Sequence, residues 1–194
     1  MTLLGITGGI GMGKSAAATL LGALGVPVVD TDELARRLVE RGSPALAEIT
    51  EAFGPEAIDP EGSLRRQWLA RLVFADTAAR GRLEQILHPR IAVAWRGEVG
   101  RWRDEGRQIG AVIIPLLFEK GYEAEFDAVV CVACSAETQR QRLRGRNWSE
   151  DEIKARAAAQ LPVNDKAARS RFVVWTEGGL PMHARQWERI LRRL

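Results

Sequence analysis

The chain has 194 residues, of which 46% are hydrophobic and 27% charged, and its formal net charge is +3. These proportions exclude a disordered tail, a fibrous repeat and a disulfide-stapled miniprotein; they fit one domain of ordinary size with room for a small lobe. The charge excess suits a phosphorylated ligand and is too small to argue for nucleic acid. Of the 28 basic residues only four are lysines, Lys14, Lys120, Lys154 and Lys166. In a chain that uses arginine almost everywhere, each retained lysine poses a question. Two cysteines, Cys131 and Cys134, supply no disulfide framework and point to a reducing, cytoplasmic setting. The opening MTLLGITGG lacks the basic and long apolar regions of a signal peptide. No stretch approaches the ~18 apolar residues of a membrane span, so no membrane partner is expected.

In chain order, the apolar run Thr2 to Thr7 ends in glycines and predicts a buried strand. The alanine- and leucine-rich stretch Lys14 to Leu24 predicts a helix, closed by Gly25, and Val26 to Asp30 a second strand. Strand, turn, helix and strand within about thirty residues are the mark of a parallel α/β sheet. Amphipathic patterns then predict helices over 31–41, Pro44 to Phe53 and Leu64 to Phe74, separated by Gly54-Pro55 and Asp59-Pro60-Glu61-Gly62. A longer helical pattern from Thr77 to Asp104 is expected to break at His88-Pro89, because proline lacks the amide donor and biases the residue before it out of the helix. Strands resume at Gly110 to Ile114 and Ala128 to Val132, followed by a charged helix from Ala136 to Arg146. The segment Asn147 to Arg171 reads as charged and helical, opened by the capping pattern Ser149-Glu150-Asp151-Glu152. A last strand, Phe172 to Trp175, and a terminal helix, Met182 to Leu194, complete the chain.

Gly8-Gly9-Ile10-Gly11-Met12-Gly13-Lys14-Ser15 fits G-x-x-x-x-G-K-[ST], the phosphate-binding P-loop, and it stands between a predicted strand and a predicted helix as that motif requires. The glycines let the backbone wrap closely, with N–H groups turned toward phosphate oxygens, and the following helix adds its positive end. Lys14 would reach the β- and γ-phosphates, and the Ser15 hydroxyl would ligate Mg²⁺.

Asp30 and Asp32 lie at the carboxyl end of the second strand, the edge where open α/β sheets place ligands. One could hold Mg²⁺ through water while the other accepts a proton from an attacking hydroxyl; Asp30 could equally cap the helix that begins near Glu33. No guanine-reading N-K-x-D pattern follows. Instead Gln139, Arg142 and Arg146 share one helix face, as expected of a lid over a triphosphate, whereas Arg140 and Arg144 fit a solvated face. Cys131-Val-Ala-Cys134 has no further cysteines to complete a zinc site, and His88 and His183 lack finger spacing, so both thiols read as buried.

With these motifs in hand, the sequence resembles the dephospho-CoA kinase family. The matching stretches are Gly5 to Ser15, Val29-Asp-Thr-Asp32, Gly42-Ser-Pro-Ala-Leu46, Phe53-Gly54, Gly62-Ser-Leu-Arg-Arg66, Leu87-His-Pro89, Pro115-Leu-Leu-Phe-Glu119 and Glu137-Thr-Gln-Arg-Gln-Arg142. In order and spacing they cover about residues 3 to 165. The resemblance implies transfer of the ATP γ-phosphate to the ribose 3′-hydroxyl of dephospho-CoA, the last step of coenzyme A synthesis. It implies an α/β P-loop nucleoside-triphosphate kinase fold, with a five-stranded parallel sheet flanked by helices. The whole of 1–194 would then form one kinase domain, including a helical CoA-binding insertion at about 33–106 and a lid at about 142–170.

Carried over by position, the resemblance implies that Asp32 is the base toward the 3′-hydroxyl. Thr7, Gly8, Gly9, Ile10, Gly11, Met12, Gly13, Lys14, Ser15 and Ala16 would hold ATP, and Arg142 would reach the phosphates from the lid side. Arg66, His88 and Glu119 fall toward the acceptor, although a histidine before proline can also be a local cap or a packed side chain. The implied cofactor set is ATP with Mg²⁺ at Ser15 and Asp30. The implied partner is a small-molecule substrate, with the protein a monomer or weak homo-oligomer. Another small-molecule or nucleoside monophosphate kinase with the same core is the alternative. Four departures stand out: Ala16 where Ser or Thr is common, Ile113 where many members carry an acid, Arg65 for an Asp, and Ser170 to Thr176 where the family reads A-D-x-V-I-x-N.

Overall fold

Thr2–Thr7 forms strand β1 in the computed structural model, which describes residues 1–146 and 148–194 and, among these, the side chains of all but Asp151, Glu152 and Ala155. Asn147 and the Asp151 and Glu152 side chains of the expected capping pattern therefore lie outside the described residues. The chain divides into two compact units, residues 1–30 with 101–194, and residues 31–100.

The first unit is a five-stranded, all-parallel sheet. Its strands are β1, β2 (Val28–Asp30), β3 (Ile109–Ile113), β4 (Ala128–Ala133) and β5 (Phe172–Trp175), in the order β2-β3-β1-β4-β5. β1 is central, with Ile6 opposite Ile113 of β3 and Thr7 opposite Cys131 of β4. Every residue of β4 is buried, as expected of a parallel strand covered on both faces, and this is why these strands read as unbroken apolar runs. Helix α1 (Lys14–Ala23) supplies Ala17 and Leu21 to the core. The last helix, α9 (Leu180–Leu191 in the observed bounds), supplies Trp187 and Ile190 beside Leu4 and Ile6 of β1. Full burial of an aromatic the size of Trp187 is among the largest single contributions to such a core, about 3–5 kcal/mol on truncation to Ala.

The second unit is helical. Helices α2 (Thr31–Leu38), α3 (Pro44–Phe53), α4 (Arg66–Ala75) and most of α5 (Thr77–Asp104) surround Val39, Ala45, Ile49, Ala57 and Leu69. The α3 bounds follow from local chemistry: Ser43 Oγ accepts from Leu46 N at 3.2 Å, Pro44 occupies the first turn, and Gly54 follows with a positive φ of 88°.

Helix α5 corrects one expectation, because it runs through His88-Pro89 without interruption. Proline deletes one backbone bond at a cost of about 3 kcal/mol. Leu83, Ile86 and Leu87 pack against the helical core on the same helix, and Arg90 Nη1 donates to the Ile86 carbonyl at 2.6 Å while pairing with Glu48 of α3. Burial on one face outweighs the missing bond.

Beyond β4 come α6 (Ala136–Arg144), α7 (Glu150–Ala158) and α8 (Val163–Arg169). Helix α8 packs on β4, with Val163 and Ala167 against Met12, Cys131, Ala133 and Cys134. Among the described residues, no helix is long and apolar enough to cross a membrane.

Candidate functional site

The loop from Gly8 to Gly13 carries the chain from β1 into α1 at the carboxyl edge of the sheet. Gly8 and Gly13, like Gly11 with its φ of 73°, are required by geometry. Gly8 has φ 145° and a Cβ there would stand 2.1 Å from the Val132 carbonyl oxygen; Gly13 caps α1 with φ 99°. The first turn of α1 holds no acidic residue, so its positive end is not offset locally and suits an anion. Lys14 Nζ donates to the carbonyls of Gly8 at 2.8 Å and Gly9 at 2.9 Å, which holds the ammonium across the loop. Ser15, on the same turn, is exposed.

Side chains from the second half of the chain tie this loop from outside. Gln139 and Arg142, on one face of α6, both reach it: Gln139 Nε2 donates to Ile10 O at 2.8 Å, and Arg142 Nη1 lies 3.5 Å from Gly11 O. The guanidinium is also fixed by Thr176, donating to its Oγ1 at 2.8 Å and its carbonyl at 2.6 Å. Thr176, buried directly after β5, donates in turn to Met12 O at 2.9 Å. Arg140 and Arg144 point elsewhere and carry exposed ion pairs with Glu137 and Glu150. Glu177 accepts from Ser135 N at 2.9 Å, from the Thr138 hydroxyl at 3.0 Å and from Trp175 Nε1 at 3.1 Å. These bonds, those from Ser135 foremost, hold its carboxyl down at about 2. The same bonds pin the N-terminus of α6.

A second network lies beside the loop. The Pro115 carbonyl accepts from Thr7 Oγ1 at 3.1 Å and from Lys166 Nζ at 2.6 Å. Lys166, wholly buried, pairs with Glu119 Oε1 at 2.8 Å, and the same oxygen accepts from Leu161 N at 2.8 Å. Gln160, one residue earlier, accepts from Ile10 N at 3.2 Å. Glu119, expected on the acceptor side, is thus engaged through Oε1 with Lys166 and Leu161. Its Oε2 is buried without a protein partner. Both cysteines are free and buried, and burial pushes the Cys131 thiol up to about 11 against the opposing pull of Lys166 and Lys14.

Of the remaining expected residues, Asp30 closes β2, opposite Ile113, at the same sheet edge. Helix α2 starts immediately after it, at Thr31 and not near Glu33, so Asp32 sits exposed in the first turn of α2, in the helical unit. Arg66 opens α4 and its Nη2 donates to Arg36 O, in the last turn of α2, at 3.1 Å. His88 is half-buried within α5. Among the described residues no group of three His, Cys, Asp or Glu side chains could hold a metal by itself. Ser15 and Asp30 are hard oxygen donors at one edge. They fit Mg²⁺, which keeps water and phosphate oxygens and needs only one or two ligands from protein.

Four residues of this arrangement were not anticipated: Thr176, Gln160, Glu177 and Lys166. Thr176 carried a signal as the position directly after a strand at the ligand edge, and Lys166 as one of four lysines in an arginine-rich chain. Gln160 and Glu177 carried none.

A parallel five-stranded sheet with a glycine loop and Lys-Ser after its central strand defines a P-loop kinase fold. The dephospho-CoA kinase family model matches residues 2–181. A dephospho-CoA kinase of Anaeromyxobacter dehalogenans is 48% identical over 195 aligned residues, covering 100% of this chain and 92% of the relative. The crystal structure of TT1252 from Thermus thermophilus superposes with a TM-score of 0.85 at 36% identity, covering 100% of this chain and 97% of the other. The solved structure of the Campylobacter jejuni dephospho-CoA kinase, at 22% identity, covers 98% of this chain and 96% of the other with a TM-score of 0.72 and shares the fold. The chain belongs to the dephospho-CoA kinase family.

Proposed function

We propose that this protein transfers the γ-phosphoryl group of ATP to the ribose 3′-hydroxyl of dephospho-CoA, giving coenzyme A and ADP. The observation that carries this reading is the family match over residues 2–181, which takes in the whole phosphate loop. Such a transfer asks the protein for position and charge and for little covalent chemistry. In this reading the N–H groups of the loop and the positive end of α1 hold the phosphates, and Lys14 exchanges its carbonyl partners for phosphate oxygens. Arg142 faces the triphosphate from α6. Mg²⁺, held by Ser15 and Asp30 with water and phosphate oxygens, supplies charge neutralisation when bound.

Asp32 accepts the proton of the 3′-hydroxyl as its oxygen bonds to the γ-phosphorus, and the bond from that phosphorus to the bridging oxygen breaks to release ADP. Arg66 and His88, within a helical insertion of about 33–106, serve the acceptor together with Glu119, which follows β3 in the sheet unit. The segment of about 142–170 is the lid, its far end anchored by α8; closure keeps water from competing with the acceptor. The protein works in the cytoplasm, as a monomer or weak homo-oligomer.

The test supplies purified protein with ATP, Mg²⁺ and dephospho-CoA and follows coenzyme A and ADP by mass spectrometry. Equimolar formation of both supports the reading. Faster ADP formation with adenosine or a nucleoside monophosphate than with dephospho-CoA overturns the acceptor assignment.

A further inference from the structure

We propose that Gln160 is a positioning residue of the phosphate loop, tying the junction between α7 and α8 to the Ile10 amide so that the loop keeps a phosphate-binding shape. The inference rests on the nucleotide-binding reading of that loop. Its physical ground is the loop's composition. Gly8, Gly9, Gly11 and Gly13 leave few Cβ barriers to alternative backbone conformations. A loop of this kind must have its shape imposed from outside if binding is not to be charged with ordering it.

Arg142 and Thr176 hold Gly11 and Met12, and two further outside contacts meet at Ile10. Its carbonyl accepts from Gln139 Nε2 at 2.8 Å and its N–H donates to Gln160 Oε1 at 3.2 Å, so the peptide units on both sides of the Ile10 Cα are gripped. The mount of Gln160 is itself fixed. Its neighbour Leu161 donates its N–H to Glu119 Oε1, which is paired with Lys166, and Lys166 is buried and bonded to Pro115 O. A chain of polar contacts therefore runs from α8 through Glu119 and Gln160 into the loop. Gln160 is half-buried and lies outside the apolar clusters described around β1 and around Met12. Its loss removes a restraint on the loop and little of the core.

The experiment measures ATP affinity by calorimetry in the presence of Mg²⁺ for wild-type protein and Gln160→Leu, which keeps the volume and removes the acceptor. The expected result is an ATP Kd raised about tenfold, the effect of one lost hydrogen bond at the site. The affinity for dephospho-CoA should stay within about twofold, and the melting temperature within about 4 °C. A merely structural role would lower the melting temperature and leave the ATP Kd unmoved. Unchanged ATP binding in Gln160→Leu beside a binding wild type overturns this inference alone; a wild type that binds no ATP overturns the nucleotide reading and this inference with it. A second measurement needs no variant. In wild-type protein labelled with ¹⁵N-isoleucine, the Ile10 amide is expected to exchange at least about tenfold more slowly than an unprotected amide, and unprotected exchange overturns the proposal.

Discussion

Lys166 and Glu119 form an ion pair inside the sheet unit: Nζ stands 2.8 Å from Oε1, with none of the lysine side chain exposed and 16% of the glutamate side chain exposed. The same ammonium donates to the Pro115 carbonyl, which also receives the Thr7 hydroxyl. A compact ammonium on a flexible stem suits this corner between a carbonyl and a carboxylate, whereas the planar fork of an arginine demands a wider seat.

Removing one partner of such a pair strands the other. Lys166→Met is expected to lower unfolding free energy by about 3 kcal/mol, the lower end of the range because Glu119 is not fully sealed. Lys154→Met, at an exposed position of α7, should stay within about 0.5 kcal/mol. Urea unfolding of both variants and of the Lys166→Met/Glu119→Leu double variant checks this. The double variant should be more stable than Lys166→Met alone.

Asp32→Asn tests the base. It should reduce the rate of phosphoryl transfer by at least ~100-fold while ATP affinity stays near the wild-type value. Single-turnover kinetics beside calorimetry separate the two quantities, and full activity in Asp32→Asn removes the assignment.

Lys14 and Lys154 give a second contrast between a lysine in the loop and one on the surface. Lys14→Ala should weaken transfer by ~100-fold or more, the scale of losing a preorganised charge at the phosphates. Lys154→Ala should leave kcat/KM within about twofold. Equal effects would sink the role given to the loop lysine.

Acid stability follows from Glu177. Its carboxyl, ordinarily 4.5, is held down at about 2 in the folded protein by bonds from Ser135, Trp175 and Thr138. A carboxyl with a depressed folded value contributes stability that is fully present above its unfolded value and is lost as pH falls from about 4.5 to about 2. Glu177→Gln should flatten that part of the stability profile and leave the slope above pH 5 unchanged. Chemical denaturation at a series of pH values reads it directly.

The sheet and the phosphate loop were legible because their signals are contiguous. β1 ends where glycines begin, α3 has its serine cap, proline and closing glycine in place, and β5 has its expected bounds. The break expected at Pro89 was misread because the packing of Leu83, Ile86 and Leu87, which holds α5 together, is not local information. The ties on the loop were hidden for a similar reason. Gln160 meets Ile10 from 150 residues away and Thr176 meets Met12 from 164. No periodicity encodes such pairs, whereas the rarity of lysine at least marked Lys166 for attention.

That rarity has a chemical consequence. Lys120 and Lys154 are exposed, Lys14 is half-buried in the loop, and Lys166 is sealed. An amine-acylating reagent would therefore meet two surface side chains as an internal standard, one sealed side chain as a blank, and one loop side chain whose access depends on what occupies the phosphate site. Peptide mapping after brief acylation, with and without nucleotide, turns a biased composition into a footprint of site occupancy.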